Sequence, residues 1–120
     1  MADFVFSQPK TATVVIKCKP LNSNGVGYRE AKFTAVIKKL YGADRQKYLE
    51  EIEGKGLPTI VQELVIGLPD IKDEDGNEMP FTEELLYQVS MTDWMSNPLA
   101  IECMAVQDSM HREAMARKNS

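Results

Sequence analysis

Apolar and polar residues alternate over residues 13–19. Val14, Ile16 and Cys18 fall on one side; Thr13, Val15, Lys17 and Lys19 fall on the other. Period-two patterning in a stretch rich in branched residues predicts a half-buried strand. The alternation returns over residues 29–40, with Ala31, Phe33, Ala35 and Ile37 toward the core and Glu30, Lys32, Thr34 and Lys38 toward water. Between the two runs, residues 20–27 read Pro-Leu-Asn-Ser-Asn-Gly-Val-Gly, a loop by composition. Two strands joined by one local loop form an antiparallel hairpin. A bare hairpin is marginal in water, so its apolar face must pack on further elements. Residues 3–7, Asp-Phe-Val-Phe-Ser, offer a third strand or an exchanged arm, separated from the hairpin by Pro9.

The rest of the chain changes to helical periodicity. Asp44 is placed to cap a short helix through Glu53, with Tyr48, Leu49 and Ile52 on one side and Gly54 and Gly56 ending it. Pro58 fits the first turn of a second helix, where its missing amide hydrogen costs nothing. Ile60, Val61, Leu64 and Val65 form that helix's buried stripe, and Gly67 closes it. Thr82 caps a third helix whose Glu83 and Glu84 suit the positive N-terminus, with Leu85, Leu86 and Val89 inward. Residues 92–96 form a helical turn. Asn97 then caps, and Pro98 starts, a last helix reaching about Arg117. The predicted fold is α+β: an antiparallel β-hairpin or small sheet packed by about four α-helices. It is one domain spanning 1–120, with an N-terminal arm at 1–12, a hairpin at 13–40 and a helical part at 43–118.

Composition limits the functional classes. At 120 residues and 43% hydrophobic content, the chain supports one modest core. No apolar run is long enough for a membrane span. The start, Met1-Ala2-Asp3, lacks a secretory signal's basic and apolar regions, so a cytoplasmic setting is expected. Cys18 and Cys103 both fall on apolar faces and are expected as buried free thiols. The net charge of −4 conceals a division: residues 1–40 hold seven Lys or Arg against two acids, whereas residues 70–84 hold seven acids against one lysine. This predicts either intramolecular or head-to-tail complementarity, or two independently solvated faces.

The acidic stretch resembles a calcium loop at first sight. With Gly76 at position 6 of an EF-hand loop, Asp73 and Asp75 fall at positions 3 and 5, but Ile71 and Thr82 occupy positions 1 and 12, where ligands are required. A solvated turn with Gly76 left-handed is the better reading. The Asp-Glu-Asp-Gly-Asn turn at 73–77, the Pro-Phe-Thr-Glu-Glu helix start at 80–84, the basic hairpin and a short helix ending in Val65-Ile66-Gly67 together resemble the small tail assembly chaperones of long-tailed bacteriophages. The resemblance runs from about Val14 to Met110. Where such chaperones often carry a tryptophan after the helix before the acidic turn, this chain has Leu68 and Pro69. The resemblance implies a non-enzymatic protein of the bacterial host cytoplasm that binds the tape measure protein, keeps its apolar helices soluble and helps bring tail tube protein to it. It also implies a family in which a frameshift often yields a longer second form.

The residues themselves supply little catalytic chemistry. His111 is the sole histidine, and Gly25-Val26-Gly27 lies between strands and not before a helix, so neither a His-paired nucleophile nor a phosphate loop is indicated. No cofactor or metal is expected, and the protein reads as not an enzyme. The last helix is more informative. Leu99, Cys103, Val106, Met110 and Ala114 fall on one stripe, whereas Ile101, Met104 and Met115 fall on another flank. With Met91, Trp94 and Met95 just before it, this flank is the candidate partner-binding surface or homo-oligomer contact, because methionine suits adaptable interfaces. The alternative function is a small nucleic-acid-binding module using Lys17, Lys19, Lys32 and Lys38. The acidic remainder of the chain and the lack of an aromatic among those positions argue against it.

Overall fold

The computed structural model describes residues 6–108, and within them the expected α+β architecture is present. Strands β1 (Thr11–Cys18) and β2 (Ala31–Lys38) pair antiparallel, with Ile16 opposite Phe33 and Cys18 opposite Ala31. The alternation works as read. Ile16, Cys18, Phe33, Ala35 and Ile37 are buried, while Val15, Lys17, Lys32 and Lys38 lie on the opposite, open face. Helices then cover one side: α1 (Gly42–Glu51), α2 (Leu57–Leu64), α3 (Glu83–Ser90) and α4 (Asp93–Gln107), with a 3-10 turn at Ile52–Gly54. Helix α4 is central, packing on α2, α3 and both long strands.

Three boundaries depart from expectation. Helix α1 starts at Gly42 with Tyr41 at the N-cap, so Asp44 lies in its first turn and does not cap it. Val65, Ile66 and Gly67 do not end a helix; they form a third strand, β3 (Val65–Gly67), antiparallel to β2. Branched residues favour that conformation, and Val36 presses so closely that a Cβ on Gly67 would sit 3.2 Å from its side chain. Asp70 then extends the ladder with its side chain, accepting the Thr34 amide hydrogen at 2.8 Å. The third strand of the sheet is therefore β3. Phe6 and Ser7 carry no strand, and residues 1–5 lie outside the described part.

The last helix begins five residues before Pro98, at Asp93, and Asn97 lies inside it and not at its cap. Pro98 leaves the carbonyl of Trp94, four residues back, without a helical partner, and Trp94 is an exposed residue. Thr92 stands at the N-cap position, yet its hydroxyl donates backwards to the Gln88 carbonyl at 2.7 Å, closing α3. The described helix ends at Gln107, so the expected continuation to Arg117 falls outside the described residues. Thr82 does cap α3, its Oγ1 accepting the Leu85 amide hydrogen at 3.1 Å.

Gln107 joins helix and sheet. It is 2% exposed, and its Oε1 accepts the Leu40 N–H at 2.8 Å while its Nε2 donates to the Lys38 carbonyl at 2.6 Å. The amide thus continues the β2 ladder as a strand would. Its own carbonyl, at the negative end of α4, accepts from Arg45 Nε at 2.6 Å and Lys39 Nζ at 3.3 Å. Burial, and Arg45 beside it, hold the Lys39 ammonium below the usual lysine pKa.

Candidate functional site

The methionine-bearing flank does not form one surface. Met95 and Met104 are 9% and 3% exposed and belong to the core, and Ile101 is half-buried. Helix α4 buries Met95, Ser96, Leu99, Ala100, Cys103, Met104 and Gln107, an arc of about 180° at 100° per residue. The broader arc takes in Met104, which a narrow stripe centred on Leu99 and Cys103 had left outside. Met115 lies outside the described residues. Of the candidate partner-binding set, Met91 (55% exposed) and Trp94 (38%) reach solvent.

These two find a neighbour that the sequence reading missed. Tyr87 lies one turn before Met91 on α3 and is 57% exposed. Residues four apart share a helix face, so Tyr87 and Met91 present one apolar strip that runs to the α3–α4 corner and Trp94. The signal was available as an aromatic opposite the inward Leu85 and Val89. The corner itself is firmly held. Ser90, fully buried, donates to the Tyr87 carbonyl at 2.7 Å and accepts from Gln62 Nε2 of α2 at 2.8 Å. Such exposed aromatic and methionine side chains on a rigid base match the residue types enriched at interfaces.

Beside this corner, Trp94, Asp93, Asn97 and Pro98 line one wall of a 450 Å³ cleft, and Lys17, Cys18 and Lys19 line the other. Folding thus brings an aromatic to two of the strand lysines. The acidic stretch forms a second, smaller hairpin in which the backbones of Lys72 and Glu78 pair antiparallel and Met79 donates its amide hydrogen to the Ile71 carbonyl at 2.9 Å. Asp73 Oδ1 accepts the amide hydrogens of Asp75 and Asn77, both at 2.9 Å, and Gly76 has φ +81°. The turn reading therefore holds, with one Asp73 carboxylate oxygen directed at backbone. Among the described residues, no cluster of three or more His, Cys, Asp or Glu side chains is arranged to hold a metal ion.

Cys18 and Cys103 are free and buried. Burial, reinforced by Glu102, pushes the Cys103 thiol up to about 12, and burial raises Cys18 against a smaller opposing effect of Arg29. Neither environment produces a reactive thiolate. His111 lies outside the described residues. No described helix is long and apolar enough to cross a membrane. Compared with family models, curated proteins and solved structures, the chain matches none.

Proposed function

We propose that this protein is a non-enzymatic assembly chaperone of a long-tailed phage. It binds apolar helical segments of the tape measure protein in the bacterial cytoplasm and assists delivery of tail tube protein. The family assignment rests on the sequence resemblance. The structural observation that carries the binding role is the corner of Tyr87, Met91 and Trp94, three exposed apolar side chains on a hydrogen-bonded base. Large exposed apolar groups held rigidly lose little entropy on binding, which suits recognition of an amphipathic helix.

The test uses the double variant Met91→Lys, Trp94→Glu. Lysine at the C-terminus of α3 and glutamate in the first turn of α4 both complement their helix dipoles, so the fold is expected to persist. A purified tape measure segment that aggregates alone should stay soluble with the wild-type protein and precipitate with the variant. Equal protection by the two proteins, with both folded by circular dichroism, would refute the corner's role.

The nucleic-acid reading gains one observation, the placing of Trp94 beside Lys17 and Lys19. Asp93 shares that cleft, however, and the whole chain is acidic. Binding to mixed-sequence single-stranded DNA should be undetectable at 150 mM salt. Submicromolar binding in a salt-titrated fluorescence assay would reverse the preference.

A further inference from the structure

We infer that copies of this protein associate head to tail, the acidic hairpin of one docking on the open, lysine-bearing face of the β1–β2 hairpin of the next. The inference is independent of the tape measure reading. It starts from the division of charge, which one molecule reconciles only at Asp70, whose carboxylate accepts the Thr34 amide hydrogen of β2. Among the described residues, no ion pair joins residues 70–84 to the strand lysines; the two pairs present are Arg45–Asp108 and Lys55–Glu63, both elsewhere. The basic face is also electrostatically unsettled. Lys17 and Lys32 are direct cross-strand partners and both exposed, an arrangement that repels. Glu30 lines a cleft with them and Asp93 another with Lys17, but neither acid forms an ion pair to these lysines.

The same face is covered only toward β3, where Pro80 and Phe81 line a cleft with Val36. Helices occupy the other side of the sheet, leaving Val15, 56% exposed, with the lysines around it. An occupant must therefore be acidic with some apolar content. The chain itself carries such an element. The small hairpin ends in the exposed Glu74 and Asp75, is held in shape by the Asp73 turn, and leads to Phe81, which is 40% exposed. Because a preformed turn presents the acids, little ordering is lost on docking. The two surfaces are different patches, so one copy can use each toward a different neighbour, and the contact then extends to rings or filaments.

Opposite charge reversals test this directly. Lys17→Glu with Lys32→Glu gives one variant, and Glu74→Lys with Asp75→Lys gives another; all four side chains are exposed, so both should fold. Wild-type protein in sedimentation velocity should associate at 50 mM salt, with a dissociation constant at least tenfold weaker at 500 mM, because the screening length contracts from ~10 Å at 0.1 M to ~3 Å at 1 M. Each variant alone should be monomeric. An equimolar mixture should associate again, since each provides the complement the other lacks. A wild-type monomer at 100 µM and 50 mM salt would overturn the inference. So would association that ignores salt, or two variants that remain monomeric when mixed. The salt titration needs no variant, so a folding defect in either one leaves the inference testable.

Discussion

Met104 and Met91 are two methionines with opposite roles, and replacing each by a charged residue separates them. Met104 is 3% exposed in the core formed by α4, α2 and the sheet. Introducing glutamate there forfeits about 1.5–3 kcal/mol of apolar burial. It also buries a carboxylate, so the group must be desolvated or stay protonated at a further cost of several kcal/mol. The sum approaches the whole stability of a small domain, about 5–15 kcal/mol. Since 1 kcal/mol shifts Tm by roughly 4–8 °C at this size, Met104→Glu should lower Tm by about 20 °C or leave the protein unfolded at room temperature. Met91→Lys should change stability by about 0.5 kcal/mol or less, as for other exposed positions, and should affect partner capture alone. Thermal circular dichroism gives the first quantity. The fluorescence of Trp94, the sole tryptophan, reports burial of the corner when a partner binds. A Met104→Glu protein that melts with the wild type would refute the assignment of this residue to the core.

Gln107→Ala should cost about 2–4 kcal/mol in urea melts, because it leaves the Leu40 N–H and the Lys38 carbonyl without partners as well as removing packed atoms; a loss below 0.5 kcal/mol would show that water replaces the clasp. Gly76→Val should destabilise by more than about 1 kcal/mol, since φ is +81°, whereas the exposed Asp75→Ala should be nearly neutral in the same assay. Alkali should weaken the fold. The buried Cys103 keeps its proton to about pH 12 while the unfolded thiol loses it near 9.0, so stability is intact below pH 9 and declines as pH rises through that window. Burial and Glu63 also raise the Tyr48 hydroxyl, adding a loss above pH 10. Cys103→Ala should flatten the first part of the decline in urea midpoints measured from pH 8 to 11, and an unchanged slope would count against it.

What was legible in the sequence was whatever short-range periodicity controls. The alternation through Ile16 and Cys18, and through Phe33, Ala35 and Ile37, specified both strands and their inward face. Gly76 and Thr82 marked a turn and a cap that the structure contains. Long-range partners were not legible. Val65 suits a helical stripe and a strand equally well, and only Val36 and Ile37 across the ladder decide for the strand. Asn97-Pro98 carries a helix-start signature, yet packing of Met95 and Ser96 starts the helix earlier. Gln107 gives no local sign of being buried, because its two partners lie at Lys38 and Leu40. Met95 and Met104 left the candidate surface for a related reason. The arc a central helix buries is set by how many elements surround it, and α4 meets α2, α3 and both long strands.

The two proposed surfaces meet at one residue. Lys17 lies on the open face of the sheet and also lines the cleft opposite Trp94. A neighbouring copy's acidic hairpin seated at Lys17 and Lys32 would crowd a helix bound at the Trp94 corner, so self-association and partner binding should oppose each other. Linkage requires that opposition to be reciprocal: the factor by which the partner weakens self-association must equal the factor by which association weakens the partner. Adding the tape measure segment at low salt should therefore convert associated protein to one-to-one complexes, and raising the salt should strengthen capture as the competing contact is released. For an assembly chaperone this would store the protein with its binding corner partly occluded and open it when a client arrives. Sedimentation across a salt series with and without the segment measures both factors. Capture that weakens steadily as salt rises would show that the two surfaces act without competition at Lys17.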